Sequence, residues 1–325
     1  MRPSRKTKRQ PPGHIKSMPA IRKRRTLIAM ALVLSLVTVA WALASSSGII
    51  PLGRRHAKSG EVTVQNVSPG SPSKEYVYAG GRLVATEEPS HTVSIGVYDP
   101  STQTFYLRNS NSPGISDFTI QYGPTQAIPV VGDWDGDGTT TIGAYLPGNR
   151  TFYLRNSNTP GFADITVQYG PPGAIPVVGD WDGNGATSIG VYDPAARTFY
   201  LRNTNTPGFA DITVQYGPPG ATPISGDWDG NGTTTIGVYD SSSRTFYLRN
   251  NNTPGLADFT VQYGPAGAIP VVGDWDGNRS TTIGVYDPSL RIFYLRNSNT
   301  AGGADLTFQY GPPGGIPLSG DWDGL

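Results

Sequence analysis

The chain has no cysteine in 325 residues, so no disulfide supports it and thiolate chemistry is absent. From His91 onward it has one histidine, no glutamate and no lysine. Those shortages remove most parts of an active site, which needs groups of unlike role and pKa gathered at one point. Neither Gly-x-Ser-x-Gly nor His-Glu-x-x-His occurs. The same span carries 10 Arg against 20 Asp, a balance of −10, which argues against a nucleic-acid partner. Beyond residue 44 no segment places apolar residues at i, i+3, i+4 and i+7, so no helix is expected there.

What fills the chain instead is repetition. Gly-Asp-Trp-Asp-Gly begins at Gly132, Gly179, Gly226, Gly273 and Gly320, and Tyr-Leu-Arg-Asn begins at Tyr106, Tyr153, Tyr200, Tyr247 and Tyr294. Both recur every 47 residues, the mark of one supersecondary unit copied and packed against its neighbours. In the copy from Ile175 to Ala221, four short runs read as strands: Ile175 to Asp180, Thr187 to Tyr192, Arg197 to Arg202 and Asp211 to Tyr216. In the fourth, Ile212, Val214 and Tyr216 alternate with Thr213 and Gln215, as in a half-buried strand. Gly (42) and Pro (29) supply the tight turns between runs. Four short antiparallel strands per unit predict an all-β, five-bladed propeller over residues 91–325, because radial repetition hides sheet edges. That span opens on the second strand of a unit and closes on the first strand of another. The expectation is a ring sealed by pairing residues 316–323 with residues 92–98.

Residues 1–25 hold ten Lys/Arg and no acid, and residues 26–44 hold no charge. This pattern predicts a secretory signal or a retained signal anchor, with the basic end in the cytoplasm and the repeats outside it. Cleavage near Ala44 would give a secreted form. Residues 45–90 read as a Ser/Gly/Pro-rich flexible linker. Within them, Glu75-Tyr-Val-Tyr-Ala-Gly-Gly-Arg-Leu resembles a single YD-type repeat of bacterial surface proteins.

The Asp loops carry the only patterned chemistry. Asp133, Asp135 and Asp137 occupy positions 1, 3 and 5 of a turn with Gly138 at 6, a spacing that lets alternate side chains meet one hard cation. The other loops offer Asp180, Asp182, Asn184; Asp227, Asp229, Asn231; and Asp274, Asp276, Asn278. All-oxygen donors favour Ca²⁺. The same residues also suit turns in which Asp and Asn side chains cap backbone amides. The loops and their flanking strands resemble the FG-GAP/VCBS-type repeats of integrin-like β-propellers, whose loops follow Asp-x-Asp-x-Asp-Gly-x-x-Asp, and the resemblance implies Ca²⁺. Here position 9 is Thr141, Ser188, Thr235 or Thr282, and Arg279 replaces the glycine of the fourth complete loop.

Trp134, Trp181, Trp228, Trp275 and Trp322 lie inside the loops. Two readings stand for them: platforms for sugar rings, or covers for a blade-to-blade seam. The Arg after each Tyr-Leu likewise offers hydrogen bonds to a ligand or a pair for an Asp. Near-copies suit a non-catalytic binding or adhesion module better than an enzyme, because weak equivalent sites gain by multivalency on a glycan or another surface polymer. Known five-bladed lectins are similar in blade number. The competing readings are a display scaffold without a ligand and, less well supported, a propeller glycosidase.

Overall fold

The computed structural model describes residues 75–79, 82–87 and 92–324, all within a unit running from Ser68 to Leu325. The basic segment and the apolar run at 26–44 lie outside the described residues, and so does most of the linker. Part of that linker does take a regular form. Glu75–Ala79 and Arg82–Glu87 pair antiparallel, with Ala79 opposite Arg82 and a bulge between Val77 and Tyr78.

Residues 92–324 form a five-bladed β-propeller without helices, each blade a four-stranded antiparallel sheet. One blade runs from inside outward through Ile175–Gly179, Ser188–Asp193, Thr198–Leu201 and Ile212–Gln215. The innermost strands neighbour one another in a closed circle around the axis. They enclose a channel of about 300 Å³ lined by Pro129, Pro176, Pro223, Pro270 and Pro317 with Val, Ile, Leu and Ser. Proline belongs there because an innermost strand has no partner on its axial side, where a missing N–H leaves nothing unpaired.

The ring closes as the end points imply. Ile316–Gly320 is the innermost strand of the blade whose other strands are Ser94–Asp99, Thr104–Leu107 and Phe118–Gln121. Ile316 stands opposite Tyr98 and Gly320 opposite Ser94, and Ser94 Oγ donates to the Gly320 carbonyl.

Each blade contributes the same core. Tyr145 of the second strand meets Phe152 of the third with ring centroids 4.6 Å apart, and the equivalent pairs in the other blades lie at 4.5 to 4.7 Å. These tilted contacts add to apolar burial the favourable edge-to-face attraction of aromatic rings. The outer strands alternate, with Thr166 and Gln168 exposed and Val167 buried. No blade completes its core alone. Val130, Trp134, Tyr145, Phe152 and Leu154 cluster with Ile189 and Val191 of the following blade.

The seam is polar at one end. Thr187 N donates to the Asp133 carbonyl at 2.6 Å, and Asp133 N donates to Thr187 Oγ1 at 3.0 Å. The same reciprocal clasp joins Thr140 to Asp321, Thr234 to Asp180 and Thr281 to Asp227. Gly132 permits the approach, since a Cβ there would lie 2.5 Å from Thr187 Cγ2 and 2.9 Å from the Trp134 ring. At the fifth seam the equivalent of Thr187 is Val93. It donates its amide to the Asp274 carbonyl but has no hydroxyl for the Asp274 amide.

This asymmetry leaves the Asp274–Val93 seam one hydrogen bond short of the other four. Thr187→Val, which copies it elsewhere, is expected to cost about 1 kcal/mol, the usual contribution of one such hydrogen bond. Val93→Thr is expected to stabilise by a similar amount. Denaturant midpoints of the two variants check the pair of signs.

Candidate functional site

Each Asp loop follows an innermost strand, where the chain must turn sharply to reach the second strand. The first carboxylate of the loop organises that turn. Asp133 Oδ1 accepts from the amides of Gly136 (2.8 Å) and Asp137 (3.1 Å), and Oδ2 accepts from Gly138 (2.8 Å). Asp180 and Asp227 accept from the amides four and five residues on, and Asp274 accepts from Asn278 and Arg279. At position 5, Asp137, Asn184, Asn231 and Asn278 each accept from the amide two residues later. Backbone capping therefore operates at all four loops.

The cation reading differs from loop to loop. Asp133, Asp135 and Asp137 bring carboxylate oxygens within 4.8 Å of one another, the one such group of His, Cys, Asp or Glu among the described residues. Burial, together with the charges of Asp137 and Asp133, raises the pKa of Asp135. Burial likewise raises Asp227 and Asp274. These three oxygen donors fit a hard cation at the first loop. The other loops substitute a neutral amide for the third carboxylate. Position 9 supplies no ligand at the first loop, because Thr141 is buried and its hydroxyl donates to the Gly132 and Arg155 carbonyls. Thr282 behaves in the same way, and Thr235 donates to Gly226.

The tryptophans are corrected by burial. Trp134, Trp181, Trp228, Trp275 and Trp322 are 2 to 4% exposed, so no ring face is open for a sugar to stack on. Each lies within a seam cluster, and the indole N–H of Trp134, Trp228 and Trp322 donates to the carbonyl of a buried isoleucine. The signal that separates the readings is the glycine two residues earlier, which makes room for the ring.

The Tyr-Leu-Arg arginines also turn inward on their own blade. Arg202 lies 3.0 Å from Asp211, Arg296 3.5 Å from Asp305 and Arg155 3.6 Å from Asp164. Each guanidinium also clasps the loop between the third and fourth strands. Arg202 donates to the Phe209 carbonyl, and Arg155 donates to that of Phe162. The loop tips are thereby held out in solvent. Phe162 and Phe209 are 94% exposed, Leu256 89% and Ile115 86%, and the fifth equivalent position is Gly303.

Beside three of these positions runs a groove between neighbouring blades. The groove next to Phe209 measures about 270 Å³, that next to Leu256 about 330 Å³ and that next to Gly303 about 300 Å³. One blade gives Arg, Gln, Tyr, Gly and Pro from its outer edge, and the next gives a Tyr from its third strand. Sequence reading missed these grooves because each joins residues of two copies. The available signal was an apolar residue stranded in a polar loop, as in Thr206-Pro-Gly-Phe-Ala-Asp211.

Burial pushes the tyrosines that follow the outer strands, Tyr122, Tyr169, Tyr216, Tyr263 and Tyr310, up to about 12, partly countered by the neighbouring arginines. A phenol whose folded pKa exceeds its unfolded value near 10 supports the fold fully below pH 10. That support is lost as pH rises through 12. Unfolding midpoints are therefore expected to hold steady to about pH 9.5 and to fall between pH 10 and 12, with tyrosinate absorbance rising together with unfolding.

No family model matches the chain, and no curated protein matches it. Among solved structures it is similar to the crystal structure of BBS1N in complex with ARL6DN, soaked with lead, at 12% identity and a TM-score of 0.34. That match covers 64% of this chain and 62% of the other.

Proposed function

We propose that the ring is a non-catalytic, multivalent binding module that works outside the cytoplasm on a repetitive polymer such as a glycan. The observation that carries this reading is the recurrence of one surface groove at successive seams, with closely related linings, on a rigid closed frame. A solitary target has no use for such copies, whereas a chain of like units engages several of them and gains avidity of roughly 10²-fold or more. The absence of glutamate and lysine from residues 91–325, with one histidine, leaves little from which to assemble a catalytic centre. The export reading rests on the basic segment before the uncharged run at 26–44, which also makes the membrane a partner if that run is retained.

The Asp loops fit an accessory role in this scheme, in repeats of a type similar to FG-GAP/VCBS. Asp133, Asp135 and Asp137 would hold one Ca²⁺ and stiffen the loop beside the Thr187 clasp. Calorimetric titration of the full chain with Ca²⁺ is expected to show one dominant site and a rise in melting temperature. Asp137→Asn, which copies the other loops, is expected to abolish both. No heat and no thermal shift in the parent protein would remove Ca²⁺ from the account.

The binding reading is tested with polysaccharides of graded length. Affinity is expected to climb with chain length well beyond the rise in the number of units, as multivalency requires. A flat dependence, or no retention on any polymer, would leave the ring as a display scaffold.

A further inference from the structure

The linings of the grooves are not neutral. The groove beside Phe209 contains Arg150, Gln168, Tyr169, Pro171 and Tyr200, and no carboxylate. That is a local cation on a domain whose formal balance from His91 onward is −10. Arg150 Nη1 donates to the Gly170 carbonyl at 3.1 Å, and among the described residues this is the one hydrogen bond of its side chain. A guanidinium has five N–H donors in a planar fork, so most of the fork stays available. The neighbouring acids are accounted for. Asp211 on the tip loop is paired with Arg202 at 3.0 Å, and the turn before Arg150 has Leu146 where other blades have Asp99, Asp193, Asp240 or Asp287.

The backbone points the same way. Arg150 has φ 59°, and Arg197, Arg244 and Arg291 sit at φ 53° to 58° in the equivalent turns, with Gln103 at φ 53° in the remaining one. Glycine or asparagine would hold this left-handed conformation at less cost. A long polar side chain placed there in all five blades is strain kept where the structure over-determines it, as at ligand clamps. Across the groove Phe209 stands 94% exposed on a loop fixed by Arg202. The groove thus combines an apolar wall, half-buried tyrosine, an amide and an open guanidinium fork. At about 270 Å³ it falls just under the range of sites for drug-sized ligands, which begins at about 300 Å³, and suits a single small unit.

Resting on the multivalent-binding reading above, we propose that the polymer is an acidic polysaccharide, and that the groove between Arg150 and Phe209 takes one uronate unit. The sugar ring lies against Phe209 and Tyr200, and its carboxylate accepts a forked pair of hydrogen bonds from Arg150. The Arg197 groove, with Leu256 as its wall, is a second site weakened by the nearby Asp193. The Arg244 groove faces Gly303 and has lost its apolar wall. At ordinary ionic strength charges more than about 8 Å away are screened, so the local guanidinium and not the overall acidity sets the preference.

The test uses the full chain and a short oligogalacturonate, with its carboxyl-reduced counterpart as the neutral probe. The parent protein is expected to bind the acidic oligomer at least about tenfold more tightly than the reduced one, the scale of a charge-assisted pair. Arg150→Gln and Phe209→Ala are each expected to weaken the tightest site about tenfold. Their unfolding midpoints should not move, because Gln103 already occupies the equivalent backbone position and Phe209 is exposed. The basic residues 1–25 are common to all variants, so the differences report the groove alone. Equal binding of both oligomers, or full binding by both variants, would overturn the assignment while leaving multivalent polymer binding standing. No binding to any saccharide would remove both. Competition by a proline-rich peptide, or a self-association lost in Phe209→Ala, would give the groove to a protein partner and also overturn it.

Discussion

A blade of four short strands covers only part of its own apolar surface, and the adjacent blade must supply the rest. Everything else in the ring answers that constraint. Val130, Trp134 and Leu154 are finished by Ile189 and Val191 across the seam, and the same exchange is made around the circle. The Thr–Asp clasp fixes how near two blades come, and Gly132 and its equivalents leave room for threonine and indole together. With the seams so specified, the loops and grooves above them are placed by the frame and need little order of their own.

Small departures from identity distinguish the copies. Val93 replaces the clasping threonine at one seam, Leu146 removes an acid from one turn, and Gly303 deletes one of the exposed tips. None of these affects the aromatic core, where the Tyr–Phe pair is nearly constant. The changes at Leu146 and Gly303 lie at the rim, where they alter what a passing molecule meets, whereas Val93 lies in a seam. The scaffold is kept uniform while its surface is graded from blade to blade.

Much of the architecture was legible in the sequence. The 47-residue period set the number of blades, the alternation in Ile212 to Tyr216 located an outer strand, and the offset between the first and last repeats identified the sealing pair. What stayed hidden depends on contacts between copies. Repetition alone does not say whether Trp134 faces a ligand or a seam, since either role would recur every 47 residues. Arg150 and Phe209 are 59 positions apart and belong to different blades, so no local pattern joins them. The left-handed backbone at Arg150 was equally invisible, because arginine gives no hint of it in the way glycine does. The hairpin at residues 75–87 escaped because a lone pair of strands in a polar segment carries little periodic signal.

The blade sealed by Ile316–Gly320 imposes a timetable on synthesis. Ser94 leaves the ribosome more than two hundred residues before its partner Gly320, and until then its sheet has an open inner edge. Four related segments with the same Ile/Thr-Pro beginning emerge in the interval, each able to dock there by mistake. A chain that accepts one of them loses a strand elsewhere and cannot become a circle. The other four sheets have their inner strands ahead of their partners in the chain, so of the five this one sheet must keep its edge free while the strands of the others emerge.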